Sequence, residues 1–385
     1  MSASAGSVNE AKVNDSVLKT VGGYEIQEMA LSHTLLLDKS IAIIGSSGSG
    51  KTVMIKAIMK AVHGYIDQVI IVSTTELSNK SYDGFVDSVV IHDRPYLPDP
   101  KNPHKDDGTK GVIRFIEAIW NRQEMLTAIY MKVNDLALLG TLYEKIKSKN
   151  RNEGDKNIRD INEKRIRILE NEKKKYADDI GKCDNVIKTM NGKFDTMLKS
   201  VYKKYIEDNI ELLWKEKLDD NEKYILQYIN FNPKLLIIFD DCAAMLKPIF
   251  TKECFRKLFY QNRHNHITIV WGLQDDIDIP SSSLRKNLAI TFFTTPMVCQ
   301  TNFTRSSNGY SKQMGILAGQ VANQVFIGYR KLAYVRDSGL FYHITAPYVP
   351  PFKFGSKAFR EICDIAQSKE KQLDKNNPYY KIFNS

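Results

Sequence analysis

Residues 40–52 read SIAIIGSSGSGKT, an apolar run, a Gly/Ser-rich turn and a Lys-Thr pair that opens the helical pattern VMIKAIMKAV. The turn fits the spacing G-x-x-x-x-G-K-[ST] at Gly45, Gly50, Lys51 and Thr52, with Ser46, Ser47, Gly48 and Ser49 between. Gly45, Gly48 and Gly50 let the backbone curl with its N–H groups facing inward, where they cradle phosphate oxygens. The helix that starts here adds its positive N-terminal end beneath them. Residues 45–52 therefore read together as a nucleotide cradle, with Lys51 placed to reach the β- and γ-phosphates of ATP and the Thr52 hydroxyl to hold Mg²⁺. Gly/Ser-rich turns without function are common, but here the strand before and the helix after supply the context the motif needs.

Around this stretch, residues 68–73 (QVIIVS), 235–239 (LLIIF), 267–273 (ITIVWGL) and 289–294 (AITFFT) are apolar, β-branched runs. Such runs predict strands, and the continuous QVIIVS is the pattern of a parallel strand buried on both faces. Residues 89–93 (VVIHD) are a shorter candidate, and the weak alternation in residues 22–39 allows an edge strand. Residues 326–335 and 340–345 flank RDSG, which predicts a β-hairpin. The expected fold is α/β, a P-loop NTPase with a mainly parallel central sheet flanked by helices and its site at the strands' C-terminal edge.

Between the second strand region and residue 234 the character changes. Phe115, Ile119, Met125 and Ile129 lead into a charged segment where Ile158, Ile161, Arg165, Ile168, Glu172 and Tyr176 recur at helical spacing. We expect a long, coiled-coil-like helical insertion, an antiparallel hairpin broken near residues 150–154 and 191–192. Mixed charges suit a solvated face; the functional reading is an arm for neighbouring subunits or DNA. The expected organisation is a flexible leader (1–20), a core from 21–111 and 230–349, the insertion (112–229) and a C-terminal tail (350–385).

Composition adds bounds. Apolar residues at 43% and charged residues at 26% are globular values, and a net charge of +10 over 385 residues suits a polyanionic partner only modestly. No apolar run is long enough to span a bilayer, and MSASAGSVNEAK lacks the apolar core of a secretory signal. Cys183, Cys242, Cys254, Cys299 and Cys363 are scattered without metal-ligand spacing, the pattern of reduced thiols in an intracellular protein.

Hydrolysing ATP requires a second metal anchor, an oriented water and a cation for developing charge. Asp240, closing the LLIIF strand, suits the metal role, and Asp241 beside it can polarise the attacking water. The alternative for the pair is a helix cap or surface ion pairs. Gln274, at the tip of the next strand, can sense the γ-phosphate through its amide, although a polar residue closing a strand is also ordinary. Arg263, in QNRHNHI just before that strand, is a candidate arginine finger or else a surface ion-pair partner, and Arg285 is the second-choice finger. His264 and His266, two apart, read as local hydrogen-bonding groups.

GSSGSGKT, then LLIIFDD, then QNRHNHITIVWGLQDDIDIPSSSLRKN, then AITFF resembles the DNA-packaging ATPases of large double-stranded DNA viruses, of poxvirus type, within the FtsK/HerA group of ring-forming translocases. The resemblance covers roughly residues 35–95 and 230–345. It implies a homo-oligomeric ring that moves double-stranded DNA into a capsid using ATP and Mg²⁺, with non-specific phosphate contacts, a capsid or portal partner, and a host-cell virus factory or the virion as its setting. By position, Lys51 and Thr52 take the phosphate-loop (Walker A) roles, Asp240 and Asp241 the Walker B roles, Gln274 the sensor and Arg263 the finger for a neighbour's site. Asp241 departs from the Glu many relatives carry there, and the insertion lies outside the common core. A helicase or another DNA motor shares most of these parts, and a nucleotide-gated assembly scaffold is a third reading that the complete carboxylate pair opposes. An ABC-type ATPase is disfavoured because its signature is reduced to LAGQ at residues 317–320, on the wrong side of Asp241.

Overall fold

The computed structural model describes residues 17–148, 154–213, 217–279 and 281–376. It divides into two compact units, residues 1–123 with 233–385 and residues 124–232.

In the first unit the described strands are β1 (Val17–Lys19), β2 (Glu25–Glu28), β3 (Ser40–Ile44), β4 (Gln68–Ser73), β5 (Ile91–His92), β6 (Leu235–Asp240), β7 (Ile267–Leu273), β8 (Ile290–Phe293), β9 (Arg330–Val335) and β10 (Leu340–Thr345). They form one sheet in the order β1-β2-β10-β9-β8-β3-β7-β6-β4-β5. From β8 to β5 every neighbour is parallel. The hairpin β9–β10 continues the sheet antiparallel to β8. This is the P-loop NTPase arrangement, with β3 between β7 and β8, so the loop leaving β3 opens in the middle of the C-terminal edge. The α/β fold, the mainly parallel sheet and the closing hairpin agree with the expectation.

The continuous apolar runs are explained by what covers them. Ile41 and Ile43 of β3 pack with Met54, Ile55, Ile58 and Met59 of the helix Lys51–Val62 on one face. Ala42 and Ile44 face the other side, where Phe239, Phe255, Phe259 and Trp271 gather. Phe239 and Trp271 stack with ring centroids 4.4 Å apart. With helices on both faces there is no wet side to impose a polar alternation.

Two stretches differ from expectation. The leader was expected to run to residue 20, yet residues 17–19 form β1, paired antiparallel with β2. The turn between them is closed by the Gly23 N–H on the Thr20 carbonyl at 2.9 Å, with Gly23 at φ +78°, a conformation glycine adopts without strain. Residues 1–16 lie outside the described residues. β2, from the stretch expected to give an edge strand, lies one strand in. Residues 350–376 of the tail are docked: the Phe354 N–H donates to Phe85 O at 2.8 Å, Ser356 N–H to Asp67 O at 3.1 Å, and the helix Lys357–Asn376 follows with Cys363 buried.

The insertion begins later than expected. Phe115, Ile116, Ile119 and Trp120 belong to the first unit's aromatic core, and the buried Gln123 side chain donates to Pro233 O. The second unit is helical and has its own core of Leu139, Leu142, Ile146, Ile206, Leu213 and Ile225. The helices Gly154–Lys175 and Ile180–Asp208 form its hairpin. Their turn lies at residues 176–179, where Asp179 caps the second helix by accepting from Lys182 N–H at 3.0 Å. The break expected at residues 191–192 falls inside that helix. A mid-helix glycine costs about 1 kcal/mol. Arg165, which donates to Asn191 Oδ1 at 3.0 Å and Asp195 Oδ1 at 3.1 Å, and buried Phe194 and Leu198 offset it. Of the earlier break, residues 150–153 lie outside the described residues.

Among the described residues no helix is long and apolar enough to cross a membrane, and no group of three or more His, Cys, Asp or Glu side chains could hold a metal. All five cysteines are unpaired.

Candidate active site

β3 ends at Ile44, and the Gly45 N–H reaches across to Leu273 O of β7 at 3.0 Å. A Cβ on Gly45 would lie 1.6 Å from Thr294 Oγ1, so only glycine fits at the base of the loop. Thr294 Oγ1 lies 2.7 Å from Ser49 Oγ, which itself donates to Ser46 O at 2.7 Å, closing the loop on the end of β8. Gly48 and Gly50 turn the chain at φ +73° and +87°, left-handed values that glycine takes freely. Gly50 then opens the helix Lys51–Val62 with no side-chain cap, leaving its first N–H groups for a ligand. Ser46, Ser47 and Gly48 are exposed at the mouth, and Thr52 is half-buried.

The Lys51 ammonium is buried and spans the cradle, donating to Gly45 O at 2.9 Å and Ser46 O at 3.2 Å, with Asp241 Oδ1 at 3.7 Å. Asp241 comes from two strands away. It sits at φ +51°, a strained value for a side chain other than glycine, held by its N–H on Gly272 O at 3.1 Å and by the Thr74 hydroxyl on its own carbonyl at 3.1 Å. Asp240 is buried beneath it, its Oδ2 accepting from the Tyr82 hydroxyl at 2.8 Å. Gly272 on β7 is matched to it, because a Cβ there would lie 2.2 Å from Asp240 Oδ1. Burial pushes the Asp240 carboxyl above the usual range, while the Tyr82 hydrogen bond pulls it back. Oδ1 of Asp240 and Oδ1 of Asp241 are both buried without a hydrogen-bond partner. Two orphaned carboxylate oxygens are hard-oxygen donors of the kind that a hydrated Mg²⁺ takes.

Gln274 is exposed at the end of β7, the strand beside β3, and its N–H is held by Asp278 Oδ2 at 2.8 Å. The turn behind it is anchored by buried Asp276, which accepts from Asn308 Nδ2 at 2.5 Å and lies 3.0 Å from Arg305 Nη2. Arg285 is part of this interior network. Its guanidinium donates to Asn308 Oδ1 at 2.6 Å, Ile279 O at 2.6 Å and Ser307 Oγ at 2.9 Å, so it cannot project as a finger. Arg263 lies exposed in the turn Asn262–Asn265, at the N-terminal end of β7. That is the opposite edge of the sheet from Lys51, about 20 Å away along seven residues of strand, and outside this chain's own site.

Sequence reasoning missed three residues here. Tyr82, whose N–H is fixed by Glu76 Oε1 at 2.7 Å, carries the hydrogen bond on Asp240. Thr294 braces the loop, and Lys331 of β9 donates to Ser49 O at 3.1 Å. For Tyr82 and Lys331 no local pattern signals the contact, since each reaches the site from more than a hundred and fifty positions away.

No family model matches the chain. It is 40% identical over 369 residues to uncharacterized protein B354L of African swine fever virus (isolate Pig/Kenya/KEN-50/1950), a match that spans 95% of this chain and 98% of that protein. The chain belongs to the B354L family. The B354L protein of the Badajoz 1971 Vero-adapted strain gives the same identity and coverage. Among solved structures, this B354L relative is similar to the genome packaging NTPase B204 from Sulfolobus turreted icosahedral virus 2 in complex with ATP-gammaS (10% identity, 84% of this chain, 100% of that chain, TM-score 0.32). It is also similar to VirB4 of Thermoanaerobacter pseudethanolicus (12% identity, 86% of this chain, 96% of that chain, TM-score 0.34). Likenesses at that level carry no weight for activity or partners.

Proposed function

We propose that this B354L relative is an ATP-hydrolysing translocase of double-stranded DNA, working as a ring of identical copies to package a viral genome. The observation that carries the reading is the Lys51 ammonium spanning the phosphate loop 3.7 Å from Asp241 Oδ1, which like the buried Oδ1 of Asp240 has no hydrogen-bond partner. A buried, unmatched polar atom is costly, and a nucleotide with its hydrated cation supplies the missing contacts.

In this reading the triphosphate displaces Lys51 from the Gly45 and Ser46 carbonyls, and the ammonium follows the β- and γ-phosphates. The N–H groups of Gly48, Gly50, Lys51 and Thr52 hold the phosphate oxygens. Thr52 and Asp240 hold Mg²⁺ through its oxygen shell, which supplies charge neutralisation between the β- and γ-phosphates. Asp241 orients and polarises the attacking water, and Gln274 reads the γ-phosphate from the neighbouring strand. Arg263, exposed on the far edge, serves the site of an adjoining copy. DNA is gripped through phosphates by a chain with a net charge of +10, without sequence preference. Membership of a viral family and the ordered motifs support packaging, with a capsid or portal partner and a virus factory or virion as the setting.

The test is the steady-state ATPase rate with and without long duplex DNA at low and moderate salt. Stimulation that fades as salt rises, and that Lys51→Ala abolishes, is the expected result. Turnover indifferent to DNA overturns the motor reading, and absence of nucleotide binding overturns the site.

A further inference from the structure

Lys331 is a charged side chain with 7% of its surface exposed, on the second residue of β9. β9 is pleated so that Leu332 and Tyr334 face the aromatic core, while Ala333 faces the side occupied by the helix Lys51–Val62. Lys331 shares the parity of Ala333, and the pairing of Leu332 with Phe293 brings it to the end of β8 next to Thr294. Its ammonium meets the last turn of the phosphate loop. Nζ donates to Ser49 O at 3.1 Å, and a Cβ on Gly50 would lie 2.8 Å from it.

Nothing anionic balances this charge. Among the described residues no carboxylate oxygen lies within 4.0 Å of Lys331, in contrast to Lys51, which has Asp241 at 3.7 Å. Withdrawing an ammonium from water costs far more than one hydrogen bond to a neutral carbonyl returns. Burial accordingly pushes its pKa down. A hydrocarbon side chain of the same length would fill the space without that cost, so the arrangement is favourable only when an anion arrives.

The order of strands indicates which anion. Asp240, Asp241 and Gln274 approach β3 from the β7 and β6 side, and Lys331 approaches from the β8 and β9 side. The γ-phosphate must lie near Asp241 and Gln274, which leaves Lys331 to the other end of the phosphate chain. Resting on the nucleotide-site reading above, we propose that Lys331 is a second phosphate-binding cation that leaves the Ser49 carbonyl to contact the α- and β-phosphates. It then serves nucleoside diphosphate and triphosphate alike, and it holds the diphosphate after hydrolysis.

The experiment is calorimetric titration of the full chain with Mg²⁺–ADP and with Mg²⁺–ATPγS, together with the melting temperature of the ligand-free protein. Lys331→Met is expected to weaken both nucleotides by a similar factor, about tenfold or more, without lowering the ligand-free melting temperature. Lys331→Arg, which keeps charge and reach, should stay within about threefold of wild type. Loss of triphosphate binding alone, or equal losses in the Met and Arg variants, overturns the proposal. So does unchanged affinity with a lowered melting temperature, which would make Lys331 a brace for the loop. Wild-type protein that binds neither nucleotide overturns the underlying site instead.

Discussion

Tyr82→Phe removes one oxygen atom from a site where that atom has a measurable job. The hydroxyl donates to Asp240 Oδ2 at 2.8 Å, Tyr82 is fully buried, and the other carboxylate oxygen has no partner. Without it, a buried carboxylate keeps no hydrogen bond from a side chain. A hydrogen bond to a charged group contributes about 1.5–3 kcal/mol. For a chain of 385 residues that corresponds at pH 8 to a fall in melting temperature of about 2–4 °C. The sign with pH follows from the direction of the Asp240 shift. Burial raises the carboxyl and the Tyr82 bond lowers it, so the variant's Asp240 titrates higher still. A carboxyl raised on folding costs stability when ionised; the cost is complete above the folded value and disappears as pH falls to the unfolded value of about 3.9. The gap between wild type and variant should therefore narrow as pH falls from 8 toward the unfolded value of about 3.9. A protonated Asp240 also holds a hydrated cation poorly, so the acid limb of the ATPase pH profile should move to higher pH in the variant. Thermal melts across pH and an initial-rate pH profile read both effects. Identical melts at pH 8 and superimposable profiles would show that the Tyr82 hydroxyl neither stabilises nor tunes Asp240.

Other perturbations test separate parts of the site. Gly272→Ala puts a methyl 2.2 Å from Asp240 Oδ1 and should cost about 1–3 kcal/mol in thermal melts while lowering the ATPase rate through the displaced carboxylate. Asn308→Ala takes the Nδ2 donor from Asp276 and the Oδ1 acceptor from Arg285, both buried, and should lower stability by about 2–4 kcal/mol in urea titration. Mixing Arg263→Ala with Lys51→Ala subunits should restore part of the ATPase activity if Arg263 completes a neighbour's site. No recovery in verified mixed assemblies would return Arg263 to a surface role.

The parts of this site that the sequence reveals are the ones whose chemistry is local. The phosphate loop is a contiguous pattern, and β6 and β7 read as apolar runs because helices cover both of their faces, so Asp240, Asp241 and Gln274 could be placed at strand ends. What stayed hidden depends on contacts between distant positions. Arg285 read as the second-choice finger, but Asn308 and Ser307 fold over it and make it an interior side chain. Lys331 reads as an ordinary strand residue until the hairpin brings it to a loop 282 positions away. In the insertion, Gly192 suggested a break, but Arg165 on the partner helix and the buried Phe194 carry the helix through it. Local propensity yields there to packing.

Displacement of a triplex-forming oligonucleotide from one end of a long duplex reports translocation itself, because it detects movement along DNA without strand separation. We predict ATP-dependent displacement by the wild-type chain, none by Lys51→Ala, and strands that remain annealed. Full ATPase activity with no displacement, or displacement accompanied by unwinding, would show that the chain is not a double-stranded DNA translocase.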